Sequence, residues 1–174
     1  MNQLVPVIKI FLLLCLIGGI LFFVLKHIYV KKFNQLLIEI SNVPLDSLPE
    51  LSSTYEIYLR EQYNVEINDL TYEERVRYIA AHYKNMHSNY KKYFPKGRNW
   101  VIIAAAANLG EQVRAKYTAD WSMSDTEIPI PLLKITLSDK KNSYCEIFAA
   151  FYMQMCYDQD INYIQKECLD IGKD

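Results

Sequence analysis

RNWVIIAAAANLGEQVRAK, residues 98–116, is the stretch on which the fold turns. A run of alanines costs little in helix propensity and lets neighbouring helices approach closely, so this segment reads as the central and most buried helix. Gly110 inside it carries a propensity penalty of about 1 kcal/mol relative to alanine, which implies a close backbone approach at that point. Beyond Lys116 the period changes. Ala119–Met123 is a short strand candidate containing Trp121, and Leu132–Leu137 alternates Leu133, Ile135 and Leu137 against Leu132, Lys134 and Thr136, as a half-buried strand does. The polar stretch Ser138–Asn142 turns the chain into a third strand, Tyr144–Phe148. Apolar residues at helical steps in Ala149–Asp158 and Ile161–Ile171 predict one or two helices covering this small antiparallel sheet.

Upstream, Thr71 and Glu74 have the spacing of a capping box and open a helix expected to run to Tyr93. Tyr72, Val76, Ile79, Tyr83, Met86, Tyr90 and Tyr93 form its core stripe, and Pro95 and Gly97 end it. Arg77, Lys84 and Lys91 fall on a different face as a cationic row. An earlier helix is expected from Ser52 or Ser53 to Gln62, followed by a loop at Asn64–Asp69. Residues 43–75 are rich in acid and residues 76–99 contain bases and no acid, so the two stretches are expected to lie side by side and neutralise each other.

The amino-terminal segment is of a different kind. Ile10–Leu25 (IFLLLCLIGGILFFVL) carries no charged side chain, and Leu4–Ile8 extends it beyond Lys9. Together they supply roughly the 20 residues that a helix needs to cross a bilayer, and the Lys9 stem is long enough to carry its ammonium to the headgroups. The run is followed by Lys26, His27, Tyr29, Val30 and Lys31 in place of a cleavage site, so an uncleaved anchor is expected over residues 1–30. A juxtamembrane helix and linker are expected over 31–50, and one soluble α+β domain over 51–174. Lys26, Lys31 and Lys32 outweigh Lys9 and the terminal amine, which favours a single-pass inner-membrane protein with its domain in the cytoplasm rather than the periplasm. Cys15, Gly18 and Gly19 form a small-residue patch through which two spans could self-associate.

At 174 residues, with 5 glycines, 6 prolines and a net charge of −1, the chain is long enough for one cored domain and argues against disorder and against nucleic acid as a partner. Outside the span, Cys145, Cys156 and Cys168 match no zinc spacing; one disulfide with a thiol left over is open to them, and buried reduced thiols are the simpler reading. His82 and His87 would point about 140° apart on a helix, too far to share a metal, and His27 lies at the membrane. There is no nucleophile elbow, zinc-protease motif, phosphate loop or dinucleotide fingerprint, and no cofactor is expected. Cys145 with His82 or His87 is the one thiol and base pairing available, although a strand cysteine reads first as core. Glu111 and Arg114 have two readings. They either form an internal salt link fixing helix to sheet, or face a ligand groove beside Trp121.

Leu109, Gly110, Glu111, Arg114 and Trp121 give the pattern A-x-x-L-G-E-x-x-R followed by a tryptophan strand. Over roughly residues 98–157 this resembles small bacterial domains of unknown function, some accompanying toxin-immunity genes, in which a Leu-Gly-Glu helix precedes a Trp strand, a hairpin and a final helix. The chain departs from that pattern at Ala119, where glycine is usual, and at Phe148 and Ala149, where a proline is expected. The lack of a catalytic constellation, the tyrosines available for interfaces and this resemblance together suggest a non-enzymatic protein that binds another protein near the bilayer, a toxin being the most concrete case. The partner surface would draw on Glu111, Arg114, Trp121 and the row Arg77, Lys84 and Lys91. A scaffold subunit of an envelope or secretion assembly, and an enzyme using Glu111 in a groove, stand as the alternatives.

Overall fold

The computed structural model describes residues 4–86, 89–136, 142–156 and 162–169, with side chains from Leu16 onward, Tyr29 and Asn142 excepted. The chain divides into two units, 1–35 and 36–174. Helix α1, Leu4–Ser41, is long because nothing in it breaks the pattern, Gly18 and Gly19 included. In the first unit Leu16, Ile17 and every residue from Ile20 to Leu25 is an exposed apolar side chain, between 48% and 71% accessible. Six consecutive residues at 100° each encircle the axis, so this part of the helix has no polar face. Among the described residues no helix is long and apolar enough to cross a membrane. The side chains of Ile10–Cys15, the first part of the apolar run, lie outside the described set.

The second unit begins earlier than the linker reading implies. Leu36, Ile40, Val43 and Leu48 are all buried in its core, so residues 36–50 belong to the folded unit. Helix α2, Leu48–Tyr63, has Pro49 in its first turn, where a missing N–H costs nothing. The proline that reads as part of a linker therefore helps to start a helix. Leu48, Ser52, Tyr55, Tyr58 and Leu59 make its buried face. Asn64, in the left-handed conformation (φ 54°), ends it by returning its N–H to the Arg60 carbonyl at 3.1 Å.

Helix α3 starts at the expected capping box. The Glu74 N–H donates to Thr71 Oγ1 at 3.3 Å, and the Thr71 hydroxyl and N–H donate to Glu74 Oε2 at 2.7 and 2.9 Å, which holds the Glu74 carboxyl below its ordinary pKa. It spans Tyr72–His82 and stops well short of Tyr93. The reason lies in α2. Tyr63 Oη donates to the Asn85 carbonyl at 2.9 Å and Tyr58 Oη to the Met86 carbonyl at 2.7 Å, taking acceptors that a continuing helix would use. Asn89 then turns left-handed (φ 52°), and a single 3-10 turn follows at Tyr90–Lys92. The apolar stripe still reaches the core, with Tyr83 and Met86 buried and Tyr90 and Tyr93 packed against it, but from a loop rather than a helix.

Helix α4, Asn99–Lys116, is the central element, with every residue from Val101 to Gly110 buried. Its small side chains admit α2 closely along one side and α3 and α5 on others. Strands β1, Ala119–Met123, β2, Pro131–Thr136, and β3, Asn142–Cys145, form one antiparallel sheet in the order β1-β2-β3. Trp121, Leu133 and Cys145 stand opposite one another across the three strands. The third strand lies earlier than expected, and Phe148 belongs to helix α5, Ile147–Cys156. Helix α6, Tyr163–Leu169, packs on α5 and α3. The architecture is α+β, a helical layer against a three-stranded antiparallel sheet with carboxyl-terminal helices.

Candidate functional site

Two polar junctions and a tyrosine cluster interrupt this core. The first junction is the expected one. Arg114 Nη1 donates to both Glu111 oxygens, at 2.9 and 3.1 Å, and Trp121 Nε1 donates to Glu111 Oε1 at 2.6 Å. Arg114 Nε reaches the Ala119 carbonyl at 3.4 Å. Gly110 is what admits the indole, since a Cβ there would collide with the Trp121 ring edge. The ring also meets Phe148 edge-on, with centroids 5.8 Å apart. Glu111, Arg114 and Trp121 thus come together as foreseen, and they spend their hydrogen bonds on one another.

The second junction is absent from the sequence reading. Arg75 is 2% exposed and Asn108 is fully buried. Arg75 Nη1 donates to Asn108 Oδ1 at 2.8 Å and Nη2 to Asn68 Oδ1 at 3.1 Å. Asn108 Nδ2 in turn donates to Glu56 Oε1 at 3.0 Å, and Asn68 Nδ2 to Glu56 Oε2 at 2.9 Å. The result is a closed ring in which two amides bridge one guanidinium to one carboxylate, and Ser52 Oγ accepts a further bond from Asn108 at 3.1 Å. Burial pulls the Arg75 pKa down to about 10, with Glu56 opposing the shift, so the group remains a cation at neutral pH. One clue was legible: Asn108 is the single polar residue between Val101 and Gly110.

The cationic row does not form. Arg77 lies on α3 and pairs with Glu73 at 2.6 Å, whereas Lys84 and Lys91 lie beyond the end of that helix. Between the acidic and basic stretches, Lys92 Nζ meets Glu61 at 2.7 Å, and Tyr93 Oη donates to the same carboxylate at 2.6 Å. Tyr58 sits at the centre of a ring cluster with Tyr63, Tyr93 and Phe94, at centroid distances of 5.3 to 5.6 Å.

Comparison with protein families, with curated proteins and with solved structures finds no match.

For nucleophilic chemistry the thiols are poorly placed. Cys145 and Cys168 are buried, and burial pushes the Cys145 thiol up to about 12, far from a thiolate at neutral pH. His82 Nδ1 is engaged with the Tyr78 carbonyl at 2.9 Å, and His87 lies outside the described residues. Among the described residues no group of acids, histidines and cysteines has the arrangement of a metal site. The described residues also line clefts. One, of about 220 Å³, is lined by Glu50, Thr54, Phe94, Lys96 and Trp100, and Lys96 Nζ lies 4.1 Å from the Trp100 ring centroid. Another, of about 430 Å³, lies between the start of α3 and the end of α4. Neither is lined by Glu111.

Proposed function

We propose that this chain is a single-pass inner-membrane protein whose α+β unit binds another protein beside the bilayer and has no catalytic role. The observation that carries the reading is the all-round apolar surface of α1 from Leu16 to Leu25, continuous in sequence with the uncharged Ile10–Cys15. Such a surface is costly in water and free of cost in lipid, and Lys26, Lys31 and Lys32 follow at the level of the headgroups. Those lysines favour a cytoplasmic α+β unit. A toxin-neutralising role is the most concrete form of partner binding, and rests on the Leu-Gly-Glu helix and Trp strand. The engagement of both Glu111 oxygens by Arg114 and Trp121 supports a structural rather than a catalytic glutamate.

The first test is extraction of membranes with alkaline carbonate. The full chain should stay in the pellet and a chain lacking residues 1–30 should be released; release of the full chain defeats the anchor. Alkaline phosphatase fused after Asp174 should be inactive, and an active fusion would move the unit to the periplasm. Photocrosslinkers at Arg77, Lys84 and Lys91 in the full chain in membranes should each trap one discrete partner. Failure to trap a protein at any of the three removes the partner-binding reading.

A further inference from the structure

Strand β1 is one edge of the sheet, and its register shows which of its backbone groups are free. The Thr136 N–H donates to the Thr118 carbonyl and the Ser124 N–H to the Ile130 carbonyl, each at 2.9 Å. Backbone bonding alternates along an antiparallel pair, so Asp120 and Ser122 turn their N–H and C=O groups towards β2, and Ala119, Trp121 and Met123 turn theirs away from the sheet. Arg114 Nε takes the Ala119 carbonyl. The Trp121 N–H, the Trp121 carbonyl and the Met123 N–H have no hydrogen-bond partner among the described residues. No residue of β1 is buried, so nothing seals this edge into the core. Nor does a proline, a lysine or a bulge close it.

Outward donors and acceptors alternating along an extended backbone are matched by another extended backbone, the mode of recognition by strand addition. The side chains narrow the choice. A residue bonded to Trp121 would put its own side chain on the face that Trp121 and Met123 share, where an apolar group adds to the packing around the indole. Its neighbour would stand beside Asp120, which is exposed and, although it faces Lys134 on β2, forms no ion pair among the described residues. Opposite charges in facing positions attract. The open stretch is short, so it pairs weakly by its backbone alone and leaves selection to these side chains. We propose that β1 accepts an extended segment of the partner protein as a fourth strand, with an apolar residue beside Trp121 and a lysine or arginine beside Asp120. This rests on the partner-binding reading above and names a surface that it uses.

The probe is the peptide Val-Thr-Val-Lys-Val-Thr, blocked at both ends and titrated into the full chain in detergent micelles, with the Trp121 and Met123 amides followed by heteronuclear NMR. Both amides should shift saturably and gain protection from hydrogen exchange. A peptide with Glu in place of Lys should bind about three- to fivefold more weakly, and Asp120→Lys should reverse that order. Met123→Pro removes an outward N–H and spares the bonds to β2, at a position of the kind where edge strands tolerate proline, and should abolish saturation. A flat titration with the unaltered chain overturns the proposal; where the photocrosslinkers still trap a partner, the partner-binding reading survives it. Shifts that ignore both substitutions place the peptide in the micelle or elsewhere on the protein, and overturn it too. So does protection of both amides before any peptide is added, lost on dilution of the chain, which gives the edge to a second copy.

Discussion

The two polar junctions of α4 solve opposite problems. On the sheet side, Glu111 and Arg114 stand one turn apart, half-exposed, and only Trp121 comes from another element. On the helical side, Asn108 is fully buried and its ring closes through Arg75 on α3, Glu56 on α2 and Asn68 in the turn between them. The first junction lies within one helix apart from its bonds to strand β1. The second exists only once three segments have docked, and each polar atom in it is a penalty until then. The local junction therefore links α4 to the sheet, and the distant one ties α2 and α3 to α4.

Breaking the distant ring should have the largest effect. Asn108→Leu removes one of the two amide bridges and leaves the buried Arg75 guanidinium with Asn68 alone, and should cost roughly 3 kcal/mol, read as a loss of thermal midpoint in detergent. Adding Arg75→Met to it should recover part of that loss, because the orphaned cation goes. If the single variant costs under about 1 kcal/mol, the ring is not what couples the helices.

At the local junction the sharpest probe is Gly110→Ala. The new methyl gains about 1 kcal/mol of helix propensity but drives the indole off α4, and overpacking of this kind costs about 1–3 kcal/mol. Net destabilisation with a red-shifted Trp emission is expected, and a stabilised variant with unchanged emission would show that the indole is not seated on Gly110. The smallest effect belongs to Glu111→Gln. An acceptor for Trp121 survives and only the half-exposed ion pair is lost, so the cost should stay within about 1 kcal/mol. A larger loss would raise this junction to the rank of the other.

The same contrast explains what could be read from the chain before folding. The Thr71–Glu74 cap, the alanine helix, the Trp121 strand and the Glu111–Arg114 link all rest on neighbours within a few residues. The end of α3 does not, because hydroxyls of Tyr58 and Tyr63 on another helix take the carbonyls of Met86 and Asn85. Nor does the fate of Lys84 and Lys91, whose common face vanished with that helix. Pro49 reads equally well as a linker residue and as the first turn of α2, and only the burial of Leu36, Ile40 and Val43 decides between them.

By itself, then, the sequence determined the apolar run at the amino terminus, the order of helices and strands, and a close approach at Gly110, though not that the Trp121 ring makes it. These follow from propensity and periodicity, which act over one or two turns of chain. Only the tertiary structure decided where α3 stops and that a buried arginine is answered through two asparagines. Those depend on which groups meet across the core, and a hydrogen-bond partner many residues away leaves no local periodic signature.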